Sequence, residues 1–136
     1  LSRAAGAGAD RVCFTGALVH NQMYPFFAAA DAVVLPSIID NIANTGLEAM
    51  AMGGIVVGTD GGSFEQLIDE GRSGFLAVPG DPVSLLDAIH RSQRVSTEIN
   101  RAIREAARAR NRALSPEKTI PALLEYYRAV IERTAR

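Results

Sequence analysis

Two short apolar runs, Val33-Val34-Leu35 and Ile55-Val56-Val57, stand one helix apart, and this spacing limits the fold more than any other feature of the chain. Runs of this length and β-branched content read as strands buried on both faces. Pro36-Ser37 stops the first. A polar segment from Asp40 to Thr45 follows, then a short helix carrying Glu48, and Gly53-Gly54 ends that helix before the second run. Strand, loop, helix and strand in this order make a parallel crossover, the unit from which α/β sheets are built. In such sheets ligands bind beyond the carboxyl ends of the strands, so Val33 to Gly58 offers a site as well as a fold.

The flanking sequence extends the pattern. Val12-Cys13-Phe14 reads as a strand ended by Thr15-Gly16, and Cys13 within it as a buried, inert thiol. Asn21 can cap a helix from Gln22 to Ala30 with Pro25 in its first turn and Met23, Phe26 and Phe27 as its core face. Ser63 and Gln66 have capping-box spacing for a helix reaching about Glu70, which Gly71 ends. Gly74 to Val78 is a fourth strand. Asp81-Pro82 opens a helix with Leu85, Leu86 and Ile89 on its apolar face. Ser96 to Arg112 is an arginine-rich helix. Its stripe of Arg101, Arg104, Arg108 and Arg112, interrupted by Glu98 and Glu105, reads as a solvated face. Ser115-Pro116-Glu117 starts a last helix whose buried face is Ile120, Leu123, Leu124, Tyr127, Val130 and Ile131. Residues Leu1 to Ala9 read as a fraying helix end or linker. The expectation is one α/β domain over residues 1–136: a Rossmann-like parallel sheet with helices on both faces. Four strands are few for such a sheet, and the chain opens on Leu1, so a truncated N-terminus is expected.

Composition narrows the function. The 136 residues carry a formal net charge of −1, which gives no general electrostatic reason to bind nucleic acid or an anionic membrane. One cysteine excludes an intrachain disulfide and a cysteine-based metal cluster. No apolar run is long enough to span a membrane. No His/Asp/Glu group has metal-ligand spacing, and no G-x-S-x-G elbow, G-x-G-x-x-G or P-loop is present.

Two kinds of group remain beside the central loop. The start of the helix carrying Glu48 presents free N–H groups and the positive end of a dipole, which suit a phosphate. Asp40 and Glu48 are acceptors for the vicinal hydroxyls of a ribose or hexose. Together they describe a nucleotide-sugar site; by spacing alone they equally describe a loop cap and a solvated helix residue. Gly61-Gly62 with Glu65 is a candidate second wall of the same cleft, or a plain turn and helix start. His20 could touch a substrate or simply be solvated; His90 reads as surface.

With these residues in hand the chain resembles a known family. RVCFTG, then ADAVVLPSIIDNIANTGLEAMAMGGIVVGTDGGSFEQLIDEGRSGFLAVPGD, then SLLDAI, is similar to the C-terminal Rossmann-like domain of GT-B retaining glycosyltransferases, nearest glycosyltransferase family 4 of the "glycosyl transferases group 1" type. The likeness runs from Arg11 to Ile131, and PS-x-x-[E/D]-x7-E-A-M-A-x-G followed by GG-x-x-E carries it. It implies that Glu48 holds the ribose hydroxyls of the donor and Asp40 contacts the transferred sugar. Asn41, Ile42, Ala43, Asn44 and Thr45 fill the loop whose amides meet sugar and diphosphate. Gly16 and Leu18 match the loop beside the base. The resemblance implies a UDP-, GDP- or ADP-sugar as donor, no metal and no other cofactor. It further implies a hexose passed to a saccharide or lipid-linked acceptor, as in surface-polysaccharide assembly, in a cytoplasmic enzyme with membrane association open in the full-length protein. The sequence departs from the family in having aspartate at position 40 for glutamate and Ala43 for a glycine. The family's phosphate-binding Arg and Lys, and its acceptor-binding domain, would lie upstream of Leu1, so the chain is expected to bind donor weakly and to be inactive alone. Alternatives are a non-catalytic binding or scaffold domain that keeps the fold, and a GT-B sugar-nucleotide epimerase.

Overall fold

The computed structural model describes residues 11–39 and 43–134. The segment Leu1 to Ala9, and Asp40, Asn41 and Ile42, lie outside the described residues. The elements in order are α1 (His20–Ala29), β1 (Val33–Val34), α2 (Asn44–Ala51), β2 (Val56–Thr59), α3 (Ser63–Leu67), β3 (Phe75–Ala77), α4 (Pro82–Gln93), α5 (Thr97–Ala113) and α6 (Pro116–Thr134).

The strands form a three-stranded parallel sheet in the order β1-β2-β3. Val33 and Val34 register with Val56 and Val57, and Val57, Gly58 and Thr59 with Phe75, Leu76 and Ala77. Every residue of the central β2 is buried, as an apolar run without alternation requires. Parallel strands laid down in sequence order, joined by crossovers of one hand, put their connecting helices on one face. The core follows that rule. Val33 and Val56 face a cluster with Phe27 of α1, Ala49 and Met50 of α2, and Phe64 and Leu67 of α3. Ile55, Val57, Phe75 and Ala77 face the other side, where Ala88 of α4 packs. Helix α5 reaches both, with Ala107 in the first cluster and Ile103 in the second. The α/β architecture with helices on both faces is as expected.

Several local expectations are corrected. No strand forms at Val12–Phe14: Val12 is 50% and Phe14 66% exposed, and Cys13 is exposed rather than buried. So short an apolar run cannot be a strand without a ladder neighbour, and among the described residues it has none. Helix α1 begins at His20, with Val19 at the cap position and the Gln22 side chain accepting from Val19 N–H at 3.2 Å, so Asn21 is inside the helix. Pro25 is therefore past the first turn, and of the three residues assigned to the core face only Phe27 is buried. In α3 Gly62 takes the cap position at φ 108°, which places Ser63 within the helix and removes the capping box. The helix stops at Leu67, short of Glu70, because Ser73 Oγ accepts from Asp69 N–H at 2.9 Å and folds the chain into a turn. In α4 Leu86 is 53% exposed, while Leu85 and Ile89 pack against the core. The apolar residues of α6 are all exposed; it buries none.

Other ends formed as the sequence indicates. Asp81 Oδ1 accepts from the N–H groups of Val83 and Ser84 with Pro82 beside it, and Ser96 Oγ accepts from Ile99 N–H. Helix α2 ends in a Schellman motif, with Gly54 N–H on Ala49 O at 2.8 Å and Gly53 N–H on Met50 O at 3.0 Å. Gly53 adopts φ 81°, open to glycine alone at little cost.

The arginine stripe of α5 is not simply solvated. Arg104 donates to Gly53 O at 2.6 Å and to Ala30 O at 3.3 Å, tying α5 to the ends of α2 and α1. Asn111 adds a bond to Leu47 O at 2.7 Å, and Arg110 one to Gln66 O. Arg101 and Arg112 remain exposed.

Candidate functional site

The carboxyl ends of β1 and β2 open into α2 and α3, so the site is built from two helix starts side by side. The Thr59 hydroxyl donates to Ser37 O and links the two strand ends. Phe64, 1% exposed, sets the spacing of the helices. A Cβ at Gly46 would stand 2.9 Å from its Cε1, and one at Gly58 2.7 Å from its Cδ1. One aromatic ring thus lies against glycine on both α2 and β2, and neither helix start can shift without disturbing it.

At the start of α2 the internal ladder opens with Leu47 N–H donating to Ala43 O at 2.9 Å. The N–H groups of Asn44, Thr45 and Gly46 lie before that bond and have no acceptor within the helix. Ala43 stands at the cap position and supplies no side-chain acceptor. Asn44 and Thr45 are exposed, while the Ala43 side chain belongs to the core. An anion meeting this helix would find backbone amides rather than a side-chain cap.

Glu48 lies one turn further along. Its Oε1 is 3.1 Å from His20 Nδ1, and its side chain is 26% exposed against 72% for the histidine. Two buried side-chain oxygens have no hydrogen-bond partner among the described residues: Glu48 Oε2 and Ser63 Oγ. A buried polar oxygen left without a partner is uncommon in a native fold and marks a place where a donor is expected. One belongs to each of the two helices that open at the strand ends.

The structure thus brings together Glu48, Ala43, Asn44 and Thr45 on one helix, and joins them through His20 to the segment holding Gly16 and Leu18. Gly16 is exposed at φ 70° with open space where a side chain would be, and Leu18 is half-buried. Glu65 and His90 are exposed. Asp40, Asn41 and Ile42, singled out from the sequence, fall outside the described residues. Ser63 was legible only as a cap, and the His20–Glu48 contact had no signal because the residues lie on different helices.

Two further clefts differ in chemistry. A cavity of 220 Å³ lies at the carboxyl end of the sheet, lined by Thr59 at the end of β2 and by residues that follow β1 and β3, among them Pro36, Ile38 and Val78. A cavity of 310 Å³ is flanked by Glu70 and Arg91. There Arg91 pairs with Glu70 and with Asp87, donates to Leu76 O at 2.9 Å and lies over the Phe75 ring. Burial works against its charge, but Asp87 and Glu70 outweigh that and hold the guanidinium above its ordinary value. This cluster is satisfied internally and reads as structural. Among the described residues no group of three or more His, Cys, Asp or Glu could hold a metal ion. No helix among the described residues is long and apolar enough to cross a membrane.

Comparison with known proteins gives a consistent set of relatives. The family profile described as "Glycosyl transferases group 1" matches residues 1–93. A D-inositol 3-phosphate glycosyltransferase from Corynebacterium urealyticum is 34% identical over 110 residues, covering 80% of this chain and 26% of that protein. The lipopolysaccharide core biosynthesis mannosyltransferase LpsB of Rhizobium meliloti is 37% identical over 89 residues, covering 63% of this chain and 25% of that one. Among solved structures, a sucrose-phosphate synthase from Thermosynechococcus elongatus superposes with a TM-score of 0.78 at 27% identity, over 91% of this chain and 31% of that one. The chain spans about a quarter of the length of the curated relatives it matches.

Proposed function

The chain belongs to the glycosyl transferases group 1 family, and on that premise we propose that it is the donor-binding domain of a retaining glycosyltransferase of family 4. The enzyme would transfer a hexose from a UDP-, GDP- or ADP-sugar to a saccharide or lipid-linked acceptor. The observation that carries the reading is the buried Oε2 of Glu48, without a donor among the described residues, one turn from a helix start whose cap residue, Ala43, offers no side-chain acceptor. A nucleotide sugar offers both complements: ribose hydroxyls that donate, and a diphosphate that accepts from backbone N–H groups.

In this mechanism Glu48 accepts from the ribose hydroxyls and fixes the nucleotide. The amides of Asn44, Thr45 and Gly46 face the diphosphate, where negative charge grows as the glycosidic bond breaks. Donors already aimed at that charge stabilise the transition state more than the ground state and need no metal to do so. Asp40 and the loop through Asn41 and Ile42 would contact the transferred sugar. Gly16 and Leu18 would border the base. We propose that the 136 residues alone bind donor without transferring sugar, because the relatives it matches are about three times as long.

Isothermal titration of UDP-, GDP- and ADP-sugars into the wild type and Glu48→Ala tests this. One donor should bind saturably, and Glu48→Ala should weaken it by about tenfold or more, the loss expected for hydrogen bonds to a charged group. Saturable binding unchanged in Glu48→Ala, or none at all, would sink the reading.

A further inference from the structure

We propose that His20 is a positioning residue for Glu48, holding one carboxylate oxygen so that the other meets the donor's hydroxyls. The inference rests on the reading that Glu48 receives those hydroxyls, and adds a residue from a separate helix to it. Oε1 of Glu48 is 3.1 Å from His20 Nδ1, while Oε2 is buried and without a partner among the described residues. A carboxylate oxygen can only accept, so for His20 to hold Oε1 the proton must stand on Nδ1, either in the cation or in the Nδ1–H tautomer of the neutral ring.

His20 itself is held at two points. It is the first residue of α1, so its backbone is set by the helix. Its ring lies against that of Tyr24, one turn on, with centroids 6.5 Å apart and planes tilted by 54°, and Tyr24 packs against the core. Support therefore runs from the core through Tyr24 and His20 to Oε1. With His20 removed, the Glu48 side chain regains the rotamers that turn its carboxylate into water, and a pre-aimed acceptor is lost. The pair is too exposed on the histidine side to add much stability. Its effect is on orientation, and the two roles can be told apart.

The test has two arms on the full 136-residue chain. In the first, the ring nitrogens of His20 are read by ¹⁵N NMR above neutral pH. The wild type should show the Nδ1–H form, and Glu48→Ala should return the ring to the commoner Nε2–H tautomer. An Nε2–H ring in the wild type overturns the proposal without reference to any ligand. In the second arm, UDP, GDP and ADP are titrated against their 2′-deoxy counterparts. For the nucleotide that binds, His20→Ala should weaken the ribose form about five- to tenfold and the deoxy form, which keeps only the 3′-hydroxyl, by clearly less. His20→Asn, whose amide can donate to the same oxygen, should recover most of the loss, and thermal midpoints should stay within about 2 °C. If Glu48→Ala removes the preference for the ribose form and His20→Ala does not, the positioning role is wrong and the Glu48 reading stands. If the wild type shows no such preference, or binds none of the three, the Glu48 reading fails and this proposal falls with it.

Discussion

Replacing Gly58 by alanine probes how the two helix starts are held in place. Gly58 is buried in the middle of the sheet, paired with Leu76, and its backbone has no unusual φ, so alanine meets no conformational penalty. The cost is steric. The new Cβ would stand 2.7 Å from both Cδ1 and Cγ of Phe64, roughly an ångström inside normal carbon–carbon contact. Phe64 cannot retreat, because its far side lies against Gly46 and it is 1% exposed. Overpacking of this kind costs about 1–3 kcal/mol. For a chain of this size that lowers the thermal midpoint by about 3–12 °C. Phe64→Leu in the Gly58→Ala background should cost less than the two single changes summed, since the smaller side chain makes room for the methyl. The assay is urea and thermal unfolding of the singles and the double, analysed as a cycle. Wild-type stability in Gly58→Ala, or strict additivity in the double, would refute the claim that Phe64 clamps α2 against the sheet.

Arg104→Met should destabilise the chain by about 1.5–3 kcal/mol through loss of charge-assisted bonds to Gly53 O and Ala30 O, whereas Arg101→Met should stay within about 0.5 kcal/mol; urea unfolding of both variants decides whether the stripe is structural at one position only. Leu123→Lys on the exposed α6 should also change stability by no more than about 0.5 kcal/mol, and a larger loss would mean that the helix buries this residue after all. Cys13 should react with a soluble thiol reagent at the rate of an exposed cysteine in the native state, and protection until unfolding would contradict its placement.

What could be read from the sequence was whatever local chemistry decides. The β1–α2–β2 unit, the Asp81-Pro82 and Ser96 helix starts and the Gly53-Gly54 stop each depend on a few neighbouring residues, and each formed where the residues indicate. What could not be read depends on what stands opposite. Val12-Cys13-Phe14 and the α6 face carry the apolar pattern of buried elements, yet pattern cannot supply a partner. Ser63 has the spacing of a cap, but two glycines at positive φ made the turn in the backbone and carried the serine into the helix. Of the candidate site, the position of Glu48 one turn into the helix that follows β1 was legible from order and spacing. The His20 contact and the two unpartnered oxygens were not, because they depend on the packing of separate helices.

The measurement that bears most directly on donor binding at Glu48 is a crystal structure of the chain with the nucleoside diphosphate it binds. Both ribose hydroxyls should lie within hydrogen-bonding distance of Glu48, with Oε2 engaged and Oε1 still on His20, and the diphosphate should sit on the amides of Asn44, Thr45 and Gly46. A nucleotide seated elsewhere, with Glu48 Oε2 still unpartnered, would contradict that binding.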